Sequence, residues 1–154
     1  IEKKIIMARE CVFCNIVWKK LDADFLFENE GFVIIKDIRP ACEFHYLAVP
    51  KRHIRDGRDL QSTDKSLLLE MEQELRNLFA KKNIPSDNVL LGFHWPPFIS
   101  VPHLHMHGLA PTNQLSLITR WMFKPMTYWF RTTDYVLKNI NAGPALDERS
   151  TSTK

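Results

Sequence analysis

Short apolar runs separated by turn residues dominate the first half of this chain. Asn15 to Lys20 has the length of a short helical turn. Phe25 to Glu28 predicts a strand, Asn29-Glu30-Gly31 a turn, and Phe32 to Ile35 a second strand, with Pro40 as a stop. His45 to Val49 predicts a third strand, closed by Pro50. Thr63 and Asp64 read as a helix start. Leu68, Met71, Leu75, Leu78 and Phe79 follow at spacings of three and four, which places them on one helical face. This is the longest predicted helix, and Asn83 to Ser86 ends it. Val89 to Phe93 predicts a fourth strand and Val101 to Leu109 a fifth. Leu115 to Phe123 reads as helical, Tyr128 to Arg131 as extended, and Asp134 to Ile140 as a short helix capped by Asp134. Strands running together around one main helix predict an α+β fold with a mostly antiparallel sheet.

Composition narrows the class. The chain has 154 residues, enough for one domain with a real core, and 45% hydrophobic content argues against disorder. Residues 1–10 read as an N-terminal extension and 11–143 as the domain. Pro144 to Lys154 is small and polar and reads as a tail. The start alternates charged and apolar residues and does not read as a signal peptide. A net charge of +3 is mild, so nucleic acid is neither required nor excluded as a partner.

The charge distribution is uneven. From Asn88 to Thr119, 32 consecutive residues lack Asp, Glu, Lys and Arg, where a 25% charged composition leads one to expect about eight. Prolines 96, 97, 102 and 111 exclude a membrane span there. Four of the six histidines fall in this window: His94, His103, His105 and His107. In the segment His103-Leu104-His105-Met106-His107, strand alternation projects the three imidazoles to one face and Leu104 and Met106 to the core. Such a set can be a solvated strand face or a metal site. It can also serve phosphoryl chemistry, one imidazole attacking phosphorus and the others binding its oxygens. Spacing does not separate the last two. Cys11 and Cys14 form C-x-x-C, which reads as metal ligands ahead of a redox pair. Cys42 stands alone and reads as a small buried apolar residue.

The run His103 to Leu109 resembles the signature of the histidine triad superfamily of nucleotide hydrolases and transferases. Cys-Val-Phe-Cys-Asn-Ile at 11–16, Ile-Lys-Asp-Ile-Arg-Pro at 35–40 and Phe-His-Tyr-Leu-Ala-Val-Pro-Lys-Arg-His-Ile at 44–54 support it in the right order. The resemblance implies a five-stranded antiparallel half-barrel with one long helix and shorter ones, usually as a homodimer. It implies that His105 attacks the α-phosphorus of a purine nucleoside phosphoramidate or acyl-nucleotide, giving a nucleotidyl-histidine. In the same reading His107 contacts phosphate oxygens, His45 orients and polarises the site, and His103 completes the catalytic set. Ser100 hydrogen-bonds the phosphate or the leaving group.

Further roles follow from the resemblance. Asp37 matches the residue that binds the ribose hydroxyls, although a turn-forming aspartate before Pro40 is the alternative. Val12, Phe13, Ile16, Ile35 and Ile38 match the apolar positions around the base, each equally readable as core. Cys11, Cys14, His53 and His103 match a structural zinc set of some branches, and no organic cofactor is implied. The loop from Gly92 to Pro97 departs from the best-known branch. His94 there reads either as an extra site residue or as a loop histidine capping backbone. Trp121 to Phe130 resembles the aprataxin-like branch, which acts on DNA ends, but no zinc-finger spacing follows the triad. A DNA deadenylase and a nucleotide-binding scaffold with weak catalysis are therefore the alternatives to the hydrolase, and a pure zinc protein is a third. The expected setting is cytoplasmic or nuclear, without membrane attachment.

Overall fold

The computed structural model describes residues 11–140. The expected N-terminal extension and polar tail lie outside them. Ten elements follow in order: α1 Val12–Val17, β1 Phe25–Glu28, β2 Phe32–Lys36, β3 Phe44–Pro50, α2 Lys65–Ala80, β4 Leu90–His94, β5 Met106–Ala110, α3 Leu117–Met122, β6 Phe130–Arg131 and α4 Thr133–Asn139. The strands form one antiparallel sheet in the order β1-β2-β3-β5-β4-β6. No helix among the described residues is long and apolar enough to cross a membrane.

Strand alternation gives the sheet two faces. Phe32, Ile34, Tyr46, Ala48, Leu91, Phe93 and Met106 point toward α2, where Leu68, Met71, Leu75 and Phe79 meet them in the main core. Phe79 stacks on Tyr46 with ring centroids 5.1 Å apart. The opposite face carries two smaller clusters. α1 covers Val33, Ile35, Leu47 and Val49 with Phe13, Ile16 and Val17. Leu109 packs with Leu115, Phe123 and Phe130. The histidines lie on this second face, between the two clusters.

The expected α+β class and long helix hold, while several boundaries move. The sheet has six strands, because Phe130–Arg131 pairs with Phe93 and His94 along the outer edge of β4. The first helix begins at Val12, not Asn15, because the Cys11 sulfur accepts from the Cys14 N–H and caps it. The last helix is capped by Thr132, whose hydroxyl accepts from the Tyr135 N–H; Asp134 lies inside it. Asp64 ends a 3-10 turn before α2, and its carboxylate accepts from the Gln61 N–H and pairs with Arg52. The strand expected over Val101 to Leu109 is only Met106–Ala110. Pro102 has no N–H, and the ladder with β3 ends at Ala48 opposite Met106. The Leu104 N–H instead donates to the Ile54 carbonyl at 2.7 Å, and the His103 N–H to Val101 at 2.8 Å. The alternation survives without the ladder, since Leu104 and Met106 both enter the main core.

Gly108 sets the distance between sheet and helix. A Cβ there would lie 3.0 Å from Phe79 and 3.1 Å from Leu75, both fully buried. Gly108→Val is expected to push α2 off β5 and destabilise the fold by about 1–3 kcal/mol, as overpacking does. A lower urea midpoint at unchanged m-value is the expected reading, and an unchanged midpoint would contradict this packing.

Candidate active site

Sheet register brings three histidines from three strands onto one diagonal. His45 of β3 lies opposite Leu109, while His107 of β5 lies opposite Leu47 and Gly92. His45 and His107 are thus diagonal neighbours on one face, and so are His107 and His94, two residues beyond Gly92. Gly92 has no side chain to fill that face. A Cβ there would lie 2.6 Å from the Arg131 carbonyl and 2.7 Å from the Phe130 ring, the aromatic that borders His94 and His107. Phe123 closes the other side, with its ring 5.5 Å from His45, 4.8 Å from His94 and 5.3 Å from His107.

Backbone partners at the two ends of this diagonal decide which nitrogen of each ring carries the proton. The Ala41 N–H donates to His45 Nδ1 at 3.1 Å, so a neutral His45 carries its proton on Nε2. That Nε2–H faces His107 Nδ1 at 2.9 Å. At the far end His94 Nε2 lies 3.1 Å from the Met122 carbonyl, which can only accept. His94 Nδ1 therefore holds a lone pair, and His107 Nε2 faces it at 3.2 Å. One arrangement satisfies every contact: His45 donates to His107, His107 to His94, and His94 to Met122.

His105 is held separately. Its Nδ1–H donates to the His103 carbonyl at 2.7 Å, which leaves the lone pair on Nε2. Its ring lies 4.8 Å from that of His107 and 4.9 Å from Phe13, nearly edge-on to the latter. An imidazole so held can act as a nucleophile without losing a proton. Burial pushes His45 down to about 4, against the pull of the nearby Asp37 carboxylate. Burial also lowers His94 and His105, and takes His107 well below the ordinary histidine value. The four rings are neutral near pH 7.

Cys11, Cys14, His53 and His103 form a second cluster, with one potential ligand atom from each lying within 4.8 Å of the others. His103 Nε2–H donates to the Pro50 carbonyl at 2.8 Å, so Nδ1 offers its lone pair to the cluster. His53 Nδ1 lies 3.2 Å from His103 Nδ1 and 3.2 Å from the Cys14 sulfur; Cys11 sulfur to His103 Nδ1 is 3.4 Å. A tetrahedral ion with bonds of about 2.0 Å to nitrogen and 2.3 Å to sulfur would place its ligands roughly 3.3–3.8 Å apart. The spacing fits such an ion. Burial beside Cys11 pushes the Cys14 thiol up to about 12, and only a bound cation would make its thiolate favourable there. Asp37, His45 and His107 also stand close together. There the shared geometry has a proton, not a lone pair, on His45 Nε2, so this group binds itself.

The remaining expected residues are placed less uniformly. Asp37 Oδ2 is 3.5 Å from His45 Nε2, while Oδ1 accepts from the Arg39 N–H at 2.8 Å, so the turn role is also realised. Phe13, Ile16 and Ile35 are buried, Val12 is partly exposed, and Ile38 is 90% exposed beside Asp37. Ser100 is exposed in the loop between β4 and β5 and is not joined to the imidazole chain. Cys42 is partly buried against Leu109 and Phe130, and its thiol donates to the Phe44 carbonyl. His94, which the sequence leaves open between a site residue and a backbone cap, joins the imidazole chain; its two-residue offset from Gly92 is visible in the sequence, whereas the β4–β5 register that gives the offset meaning is not.

The neutral histidines carry a stability consequence. His45 has a folded value near 4 and an unfolded value near 6.5, so the unfolded chain binds more protons between those pH values. Stability from this group is complete above about pH 6.5 and lost as pH falls toward 4, by on the order of 3 kcal/mol. Urea midpoints measured across this range are expected to fall, and less steeply in His45→Gln.

Comparison with known proteins adds kinship. The family model described as "Scavenger mRNA decapping enzyme C-term binding" matches residues 10–122. Adenosine 5'-monophosphoramidase HINT3 of Xenopus tropicalis is 37% identical over 134 residues, covering 86% of this chain and 88% of that protein. The bifunctional adenosine 5'-phosphosulfate phosphorylase/adenylylsulfatase HINT4 of Arabidopsis thaliana is 39% identical over 113 residues, covering 72% and 74%. A solved HIT family hydrolase from Clostridium thermocellum superposes with a TM-score of 0.64 at 27% identity, covering 71% of this chain and 96% of that one. Its fold, its triad and these relatives together make this chain a member of the histidine triad family of nucleotide hydrolases.

Proposed function

We propose that this chain hydrolyses purine nucleoside 5'-phosphoramidates through a nucleotidyl-histidine on His105. The observation that carries the reading is the 2.7 Å bond from His105 Nδ1–H to the His103 carbonyl. It leaves Nε2 as a lone pair in a site of neutral imidazoles. Nε2 attacks phosphorus, the P–N bond breaks, and the nitrogen takes a proton from solvent water and leaves as the amine. Water then attacks the same phosphorus, giving the free nucleotide and restoring His105. The N–H of His107 serves the phosphoryl oxygens, as preorganised donors do for developing negative charge. Asp37 serves the ribose hydroxyls, and Val12 and Ile38 offer exposed apolar surface to the base.

The Xenopus relative's name supports the phosphoramidate, and the Arabidopsis relative's name supports a second reading in which the leaving group is part of a mixed anhydride. Both use the same nucleophile. DNA-end chemistry draws less support, since Arg52 pairs with Asp64, and Arg55 and Arg58 with Asp56. These pairs offset part of the positive charge of the 52–58 segment, which reduces what it could offer a phosphate backbone.

Zinc is the proposed occupant of the Cys11–Cys14–His53–His103 cluster. When bound it supplies a closed structural clamp rather than chemistry on the substrate. His103 would then be held at both ring nitrogens, which keeps its carbonyl aimed at His105.

His105→Ala is expected to lower turnover of adenosine 5'-phosphoramidate by several orders of magnitude. Mass spectrometry of quenched wild-type enzyme should detect adenylate on a peptide containing His105; adenylate on another residue would refute the assignment. Metal analysis of purified protein should find about one zinc per chain, lost in Cys14→Ser together with thermal stability. A zinc-free wild-type protein of unchanged stability would overturn the metal reading.

A further inference from the structure

Both ring nitrogens of His94 are engaged. It ends β4, on the same face as His107, and its ring sits between Phe123 and Phe130. Its Nε2–H reaches the carbonyl of Met122. Met122 is the last residue of α3, so this carbonyl is one that the helix itself leaves without a partner. Its Nδ1 accepts from His107. The two ends of the imidazole chain are thus backbone groups whose polarity is fixed: the Ala41 N–H, which only donates, and the Met122 carbonyl, which only accepts.

His107 is the only member of the chain with no backbone partner for its ring. Its tautomer is set entirely by its two histidine neighbours. If His94 were removed, His45 would still donate to Nδ1, but Nε2 would lose its acceptor. The buried Nε2–H would then be unsatisfied, which costs more than an ordinary hydrogen bond is worth. His107 could relieve that cost by rotating, or by taking the other tautomer at the expense of its bond from His45, presenting a lone pair where a phosphoryl oxygen must bind.

We propose that His94 is a positioning residue: by relaying the Met122 carbonyl to His107, it holds the His107 proton on Nε2, aimed as a donor at the phosphoryl oxygen of the substrate. In the free protein His94 Nδ1 takes that proton's hydrogen bond. In the substrate complex the oxygen shares that proton with His94 Nδ1. No proton changes owner and no bond to carbon or phosphorus is involved. The device also ties the site to α3, because any movement of the Met122 carbonyl reaches His107 through one ring. The role rests on the hydrolase reading above for its effect on turnover, though not for its geometry.

The test has two arms. In the first, nitrogen-15 NMR of the wild-type protein reads the tautomer of each histidine. The expected spectrum has His45, His94 and His107 protonated on Nε2, and His105 on Nδ1. A His107 protonated on Nδ1 overturns the proposal, whatever the protein hydrolyses and whether or not any variant folds. In the second arm, His94→Leu removes both hydrogen bonds and His94→Asn keeps a side-chain oxygen in place of Nδ1. His94→Leu is expected to lower kcat on adenosine 5'-phosphoramidate by about 10- to 100-fold, with KM changed much less. In the same variant the His107 signal should shift toward a mixture of tautomers. His94→Asn should recover most of the kcat and the wild-type His107 signal. A folded His94→Leu with wild-type kcat, or with an unmoved His107 signal, overturns the positioning role. Absence of turnover by the wild-type protein would instead sink the phosphoramidase reading, while the spectrum still decides the relay.

Discussion

Both halves of the site depend on His103. Its ring donates through Nε2 to the Pro50 carbonyl and turns Nδ1 toward Cys11, Cys14 and His53. Its own carbonyl accepts from His105 and fixes where the His105 lone pair lies. One residue therefore joins the end of β3, the cap of α1 and the His105 imidazole. The segment that contains it has left the sheet ladder, so these contacts replace the strand pairing that would otherwise hold it. That exchange explains why a site needing close tolerances can sit on backbone outside regular structure.

Neutrality is the second theme. Four imidazoles crowd one face of the sheet, and their mutual repulsion would be severe if they were charged. Burial under Phe123, Phe130 and Phe13 keeps them neutral, and each neutral ring supplies one donor and one acceptor. The site thus presents oriented N–H groups instead of fixed cations. The long stretch without Lys, Arg, Asp or Glu serves the same end. A fixed carboxylate among these rings would draw protons onto them and undo the ordered set of donors and acceptors. Asp37, the one carboxylate at the site, is kept at 3.5 Å from His45 and engaged in a turn.

Much of this was legible in the residues. The three- and four-residue spacing from Leu68 to Phe79 identified α2 and its buried face, and the alternation through Leu104 and Met106 identified which side chains enter the core. The C-x-x-C and the triad pointed to the two clusters. Other features were misplaced for a common reason. The strand over 101–105 failed because its ladder partner ends, and the α1 start moved because a cysteine sulfur serves as a cap. Ile35 and Ile16 went to the core whereas Ile38 stayed exposed, a difference that depends on which residues α1 covers and not on hydropathy.

Alternation and helical periodicity are properties of covalent geometry within a few residues, so the sequence alone determined which side chains share a face. It therefore determined that the histidines stand together against an apolar core. Which proton each ring carries is a different kind of fact. It depends on partners supplied to His45 by Ala41 in the preceding turn, and to His103 and His94 by Pro50 and Met122, which are remote in sequence. Only the register of β3, β5 and β4, and the docking of α3, bring a fixed donor to one end of the chain and a fixed acceptor to the other. Tertiary structure decided that the bonds run from His45 through His107 to His94 and Met122, because a neutral imidazole offers one donor and one acceptor and takes its direction from whatever it meets.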